Sequence, residues 1–131
     1  MGKRNLWNNQ DKYFAGVPFQ VLIPVTADTT TATYDVVCPE NGVITGAVFI
    51  KGAGTGGSGD KIFLKTVDRL GAVANVSTDL SINSVTAKTQ TLMPIDLANV
   101  AVQENGFLRV VATYGAGHLL GTMVVTILPT A

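Results

Sequence analysis

The sequence holds one histidine, His118, one cysteine, Cys38, and two glutamates, Glu40 and Glu104. A metal centre needs several imidazole, thiolate or carboxylate ligands converging on one point. One histidine does not meet that need, even in a β-fold such as a cupin that would otherwise suit it, so no metal or other cofactor is expected. A Ser-His-Asp triad would have to use His118, and no G-x-S-x-G elbow presents a serine to it. The chain is therefore expected not to be an enzyme and to have no catalytic residue. Cys38 has no partner for a disulfide within the chain, which fits a reducing site of synthesis. It reads as a buried small hydrophobe.

Charge is scarce too. Charged residues make up 14% of the chain, against about a quarter in an ordinary soluble domain. Nine basic and nine acidic residues cancel, so no net positive field draws the chain to phosphate and no nucleic-acid partner is expected. No apolar run approaches the roughly 18 residues of a membrane-spanning helix, and no membrane partner is expected. The first residues, Met1 to Asp11, start basic but lack an apolar stretch, which does not read as a signal peptide. A surface so poor in charge belongs to a chain that is either poorly soluble alone or covered by neighbours, and we favour the second.

What is abundant is β-branching: forty of the 131 residues are Val, Ile or Thr. Two heavy atoms on Cβ suit a pleated surface better than a helix. The length is that of one domain, and the pattern divides it into a polar arm, residues 1–16, and a β-sandwich domain, residues 17–131. In the domain Val17, Phe19, Val21, Ile23 and Val25 occupy every second position, the period of a strand with one buried face. Pro18 and Pro24 share the other parity, which places this strand at a sheet edge. Tyr34, Val36 and Cys38 share a face of a second strand. Pro39-Glu40-Asn41-Gly42 reads as a tight turn in which Asn-Gly supplies positive φ. Val43 to Lys51, apolar on both faces, reads as a central strand.

Asp60 to Val67 places Ile62 and Leu64 inward and Lys61 and Lys65 outward. Leu80, Ile82, Ser84 and Thr86 alternate loosely after a turn at Leu70-Gly71, and Met93, Ile95 and Leu97 begin another alternating piece. Gln103-Glu104-Asn105-Gly106 repeats the chemistry of the first turn. Leu108, Val110, Ala112 and Tyr114 then share a face, and a final strand carries Met123, Val125 and Ile127 inward. Seven to nine strands without a convincing helix describe an all-β chain, an antiparallel β-sandwich. The two Glu-Asn-Gly turns stand half a chain apart, as the interleaved Greek keys of a jelly roll would give. An immunoglobulin-like sandwich would want Cys…Trp…Cys spacing, which is absent.

Gly52-Ala53-Gly54-Thr55-Gly56-Gly57 matches G-x-G-x-x-G, but a strand pattern follows where a dinucleotide fold needs a helix. A phosphate loop fails as well, because Asp60 stands where its lysine belongs. Residues 52–59 therefore read as a mobile connecting loop. His118, beside the Gly115–Gly117 turn, reads as solvent-facing or at an interface. The candidate partner-binding residues are Lys3, Arg4, Trp7, Tyr13 and Phe14, which mix charge with large rigid rings as interaction hot spots do. Two placements are open for these rings: on their own sandwich, or on a neighbouring subunit.

Three stretches carry a family resemblance: Asn41-Gly42-Val43-Ile44-Thr45-Gly46-Ala47-Val48-Phe49, the glycine loop with Asp60-Lys61-Ile62-Phe63-Leu64, and Val102-Gln103-Glu104-Asn105-Gly106-Phe107-Leu108-Arg109-Val110. With the closing run Gly117 to Ile127 they resemble the small decoration, or cement, proteins of tailed-bacteriophage capsids. The resemblance is one of strand order, loops and composition over about 90 residues. It implies a non-enzymatic virion structural protein, made in the host cytoplasm, that sits on the capsid exterior, often as a homotrimer, and braces the major capsid protein. No binding residue of the family carries over by position. The alternative is a receptor- or carbohydrate-binding module of a phage tail or fibre. Sugar-binding sandwiches use exposed rings, and this chain offers one Trp and three Tyr.

Overall fold

Alternating side chains become ten strands in a computed structural model that describes residues 17–130. In order they are β1 (Phe19–Val25), β2 (Ala32–Val37), β3 (Gly42–Lys51), β4 (Lys61–Val67), β5 (Val73–Asn75), β6 (Leu80–Ser81), β7 (Gln90–Leu92), β8 (Ala101–Val102), β9 (Phe107–Thr113) and β10 (Gly121–Pro129). Sheet one has the order β1-β10-β3-β7, with the short β8 also on β3. Sheet two has the order β2-β9-β4-β5, with the short β6 also on β4. Setting aside β6 and β8, the first strand pairs with the last, the second with the next to last, and so inward to β4 with β5. Every pairing is antiparallel. This is one long hairpin rolled into two interleaved Greek keys, a jelly roll. β1 pairs only with β10 and is a sheet edge, where Pro24 breaks no ladder.

The core lies between the sheets. Ile23, Phe49, Met123, Val125 and Ile127 face Ile62, Leu64, Leu108, Val110 and Ala112, and all ten are fully buried. Val76, Ile82 and Leu119 close it from the connecting segments. A register shift between Thr126 and Ile127 leaves Thr45 of β3 unopposed, a β-bulge. Because the bulge flips parity, Ile44 points inward below it while Ala47, Phe49 and Lys51 point inward above it. That is why β3 looks apolar on both faces when read at strict period two. Cys38 is buried just after β2, and burial pushes its thiol pKa up.

Several expectations need correction. Asn41-Gly42 is no tight hairpin: β2 and β3 belong to different sheets, and neither residue takes positive φ. Gly42 is required by proximity, since a Cβ there would stand 2.8 Å from the carbonyl oxygen of Leu128. In the second turn it is Asn105 that is left-handed, at φ 67. The two turns lie side by side, joined by Asn105 N–H to the Cys38 carbonyl at 2.9 Å, Cys38 N–H to the Gly106 carbonyl at 2.8 Å and Glu104 N–H to Asn41 Oδ1 at 2.8 Å. The alternation expected through Thr86 stops at Ser81, since Ser84 is left-handed. The piece expected from Met93 through Leu97 is not a strand. Leu97 opens a single 3-10 turn, Leu97–Asn99, capped by Asp96 Oδ1 accepting from Ala98 N–H, and is itself 83% exposed.

A paired substitution separates the two roles in the second turn. Asn105→Gly should leave stability within about 1 kcal/mol, because glycine adopts positive φ freely. Gly106→Ala should cost about 1–3 kcal/mol, because its Cβ would meet the Val67 carbonyl oxygen at 2.6 Å. Urea midpoints of the two variants check this.

Candidate interaction surfaces

Lys51 ends β3 with inward parity, and Asp60 precedes β4 with the parity of Ile62 and Leu64. Both charges are thus driven into the same end of the sandwich, and both are buried, at 1% and 0% exposure. A buried charge persists only with partners, and here the partners are backbone. Lys51 Nζ donates to the carbonyls of Ala53, Gly54 and Leu120 at 3.2–3.3 Å. Asp60 accepts from four N–H groups: Gly57 and Gly117 on Oδ2 at 2.8 and 2.9 Å, and Gly115 and Ala116 on Oδ1. Burial would raise the Asp60 pKa, but the four donors outweigh it and hold the carboxyl below its ordinary range. Burial lowers the Lys51 pKa, against the opposing charges of Asp28 and Asp60.

The glycine loop is therefore not a free connector, and the expectation of one is overturned. Gly56 N–H bonds the Val85 carbonyl, Ser84 N–H returns to the Gly56 carbonyl, and His118 N–H bonds the Thr55 carbonyl. Glycine at 57, 115 and 117 lets the segments touch backbone to backbone, where any Cβ would collide. His118 is exposed, as expected, and its Nδ1 meets Asp28 Oδ2 at 2.9 Å, tying the β9–β10 segment to the β1–β2 segment. Sequence reasoning missed Lys51 and Asp60. Their signal was inward parity at the ends of two apolar strands, direct for Asp60 beside Ile62 and Leu64, and for Lys51 visible only once the bulge at Thr45 is counted.

The sandwich has two unlike outer faces. Sheet two carries the charge: Arg109 donates Nε and Nη2 to the two oxygens of Asp35 at 2.7 and 2.9 Å, and Lys65 lies beside Arg109 and over the Phe63 ring. The hydrogen bonds from Arg109 hold the Asp35 pKa below its ordinary range. Sheet one carries none. Its strands contain one charged residue, Lys51, and that one points inward. Leu22, Val124, Val48 and Leu92 form a continuous cross-strand row over its outer face. Leu22 is 59% exposed and Leu92 76%. Pro24, Thr122, Ile50 and Gln90 form the next row.

The proposed contact residues Lys3, Arg4, Trp7, Tyr13 and Phe14 lie outside the described residues. Among the described residues no cluster of three His, Cys, Asp or Glu side chains could hold a metal ion. No helix there is long and apolar enough to cross a membrane, which says nothing of β-barrels. Of the described rings Phe107 is 38% exposed, while the tyrosines are engaged. Tyr34 Oη accepts from Ala27 N–H at 2.6 Å, and Tyr34 and Tyr114 both pack on the core.

Comparison with known proteins adds one distant likeness. A chain in the structure of infectious bursal disease virus, Gx strain, is similar over 88% of this chain and 33% of its own length, at 13% identity and a TM-score of 0.42. This chain thus spans about a third of that one. No family model matches the sequence, and no curated protein does. The jelly roll is established by strand order.

The buried carboxylate has a measurable consequence. Asp60→Asn should cost about 2–4 kcal/mol, since it weakens charge-assisted bonds and sets an amide nitrogen against backbone donors. The sign with pH follows from the lowered values at Asp60 and Asp35. Their stabilisation is complete above the ordinary carboxylate range, about pH 4, and is lost as pH falls through the lowered pKa. Urea midpoints followed into acid should fall more steeply for the native chain than for Asp60→Asn.

Proposed function

We propose that this chain is a non-enzymatic structural protein of the virion that decorates and stabilises the outside of a tailed-bacteriophage capsid, as a homotrimer on the major capsid protein. The observation that carries the reading is the outer face of sheet one, uncharged across all its strands, while the opposite face holds ion pairs. A monomeric domain rarely exposes so continuous an apolar row unless a partner covers it. Sheet one would lie on the shell and sheet two, with Asp35, Arg109 and Lys65, would face water. Joined subunits that each touch a capsid protein raise one another's effective concentration, so modest single contacts sum to firm bracing.

The alternative, a receptor- or carbohydrate-binding module of a tail or fibre, needs stacking rings free to meet a sugar. Tyr34 and Tyr114 are packed on the core and Phe63 lies under Lys65, which leaves Phe107 as the described ring that opens to solvent, so the described residues favour it less.

Added to shells lacking it, the protein should bind at a saturating copy number fixed by shell symmetry and raise the temperature at which shells burst, because binding only the assembled state stabilises that state. Salt should weaken this binding little. A double variant, Leu22→Lys with Leu92→Lys, should melt as the native chain does and bind at least tenfold more weakly, the equivalent of about 1.4 kcal/mol. Localisation to a tail tip, or binding to host-surface sugars without any capsid, would overturn the proposal.

A further inference from the structure

The end of the sandwich opposite the Lys51–Asp60 pair holds a cleft of about 230 Å³ between the β4–β5 hairpin and the β8–β9 turn. Its walls are Val67, Val73, Ala74, Val102 and Phe107, with Asp68 and Gln103 at the rim. Val73 is 50% exposed and Phe107 38%, so an apolar cavity with an aromatic wall opens to solvent. It is smaller than a drug-sized site, about 300 Å³ or more, and has room for one large side chain. The rim offers acceptors. Asp68 Oδ1 takes the N–H groups of Leu70 and Ala72 at 2.9 Å, while Oδ2 has no partner among the described residues.

The chain outside the described residues supplies a matching occupant. Residues 1–16 enter the sandwich at Val17, just before Phe19, which pairs with Ile127 at this same end. The cleft lies about three strand spacings away, roughly 14 Å. The ten steps along the chain from Trp7 to Val17 extend to about 33 Å, so the segment reaches. Charge agrees: Lys3, Arg4 and Lys12 against Asp11 give the segment +2. The two turns that line the cleft carry Asp68 and Glu104 against Arg69, a balance of −1. Among the segment's rings only the indole of Trp7 is a pure donor, the complement of Asp68 Oδ2, which no described residue partners, over an apolar floor.

We infer that the cleft is the seat of the amino-terminal segment, with the Trp7 ring against Val73, Val102 and Phe107 and its N–H directed to the rim carboxylate of Asp68. The inference goes beyond the capsid reading: of the two placements open to the Trp7 ring, it takes the one on the chain's own sandwich. It is tested on the isolated protein without shells, so its failure is distinct from failure of the capsid reading.

Trp7 is the only tryptophan, so its fluorescence reports the site directly. In the full chain its emission should be blue-shifted and its quenching by acrylamide several-fold weaker than in a peptide of residues 1–16. Ala101→Phe fills the cleft from an exposed wall position. It should restore peptide-like emission and quenching while leaving the thermal melt of the sandwich unchanged. Val73→Asp should do the same by placing charge on the floor. Peptide-like quenching in the native chain overturns the inference, as does shielding that survives in both variants.

Discussion

Asp60 anchors one end of the molecule. Four N–H groups from two separate glycine-rich segments converge on its two oxygens, and no regular ladder would otherwise hold those segments. The carboxylate does for the loops what a strand partner does for a strand. It satisfies donors that a close crossing of backbones leaves unpaired. Lys51 performs the converse role with three carbonyls. The two buried charges oppose one another across the sandwich, and this end closes over the core with neither charge left unpartnered.

That closure is what frees the faces to differ. With the ends fixed by internal bonds, sheet one can present an uncharged outer surface without recruiting side chains to hold its loops. Sheet two keeps the Asp35–Arg109 pair in water, where such pairs contribute little to stability, about 1 kcal/mol or less. Its value is asymmetry. A body with one wettable face and one apolar face has a defined orientation on whatever surface covers it, which is what the proposed bracing role would require.

Much of this was legible in the residues. Strict alternation gave β1, β4, β9 and β10, and the shared parity of Pro18 and Pro24 gave the edge position of β1. The paired Glu-Asn-Gly turns indicated a rolled double fold, although they meet in space for a reason the residues do not carry: β2 and β3 part to different sheets. The stretch from 68 to 100 was hard because β5, β6, β7 and β8 are each three residues or fewer, too short to establish a period. Pro94 and the Asp96 cap then divert the chain from the alternation that Met93 and Ile95 begin. The glycine loop was misread because its order comes from Lys51, Asp60 and the remote Gly115–Gly117 segment. Local composition reports conformational freedom, not the distant partner that removes it. Of the candidate site, the scarcity of charge was visible, but its confinement to one face needed the strand order. The arm residues Lys3, Arg4, Trp7, Tyr13 and Phe14 lie outside the described residues.

The central claim is that sheet one is the covered face. Electron microscopy of the intact native particle tests it most directly, because it shows both where the protein sits and which face it turns inward. The account predicts density for the sandwich on the capsid exterior, with the Leu22–Val124–Val48–Leu92 row against the major capsid protein and the Asp35–Arg109 pair facing solvent. A sandwich seated on its charged sheet, or one found on the tail and not the shell, would contradict it.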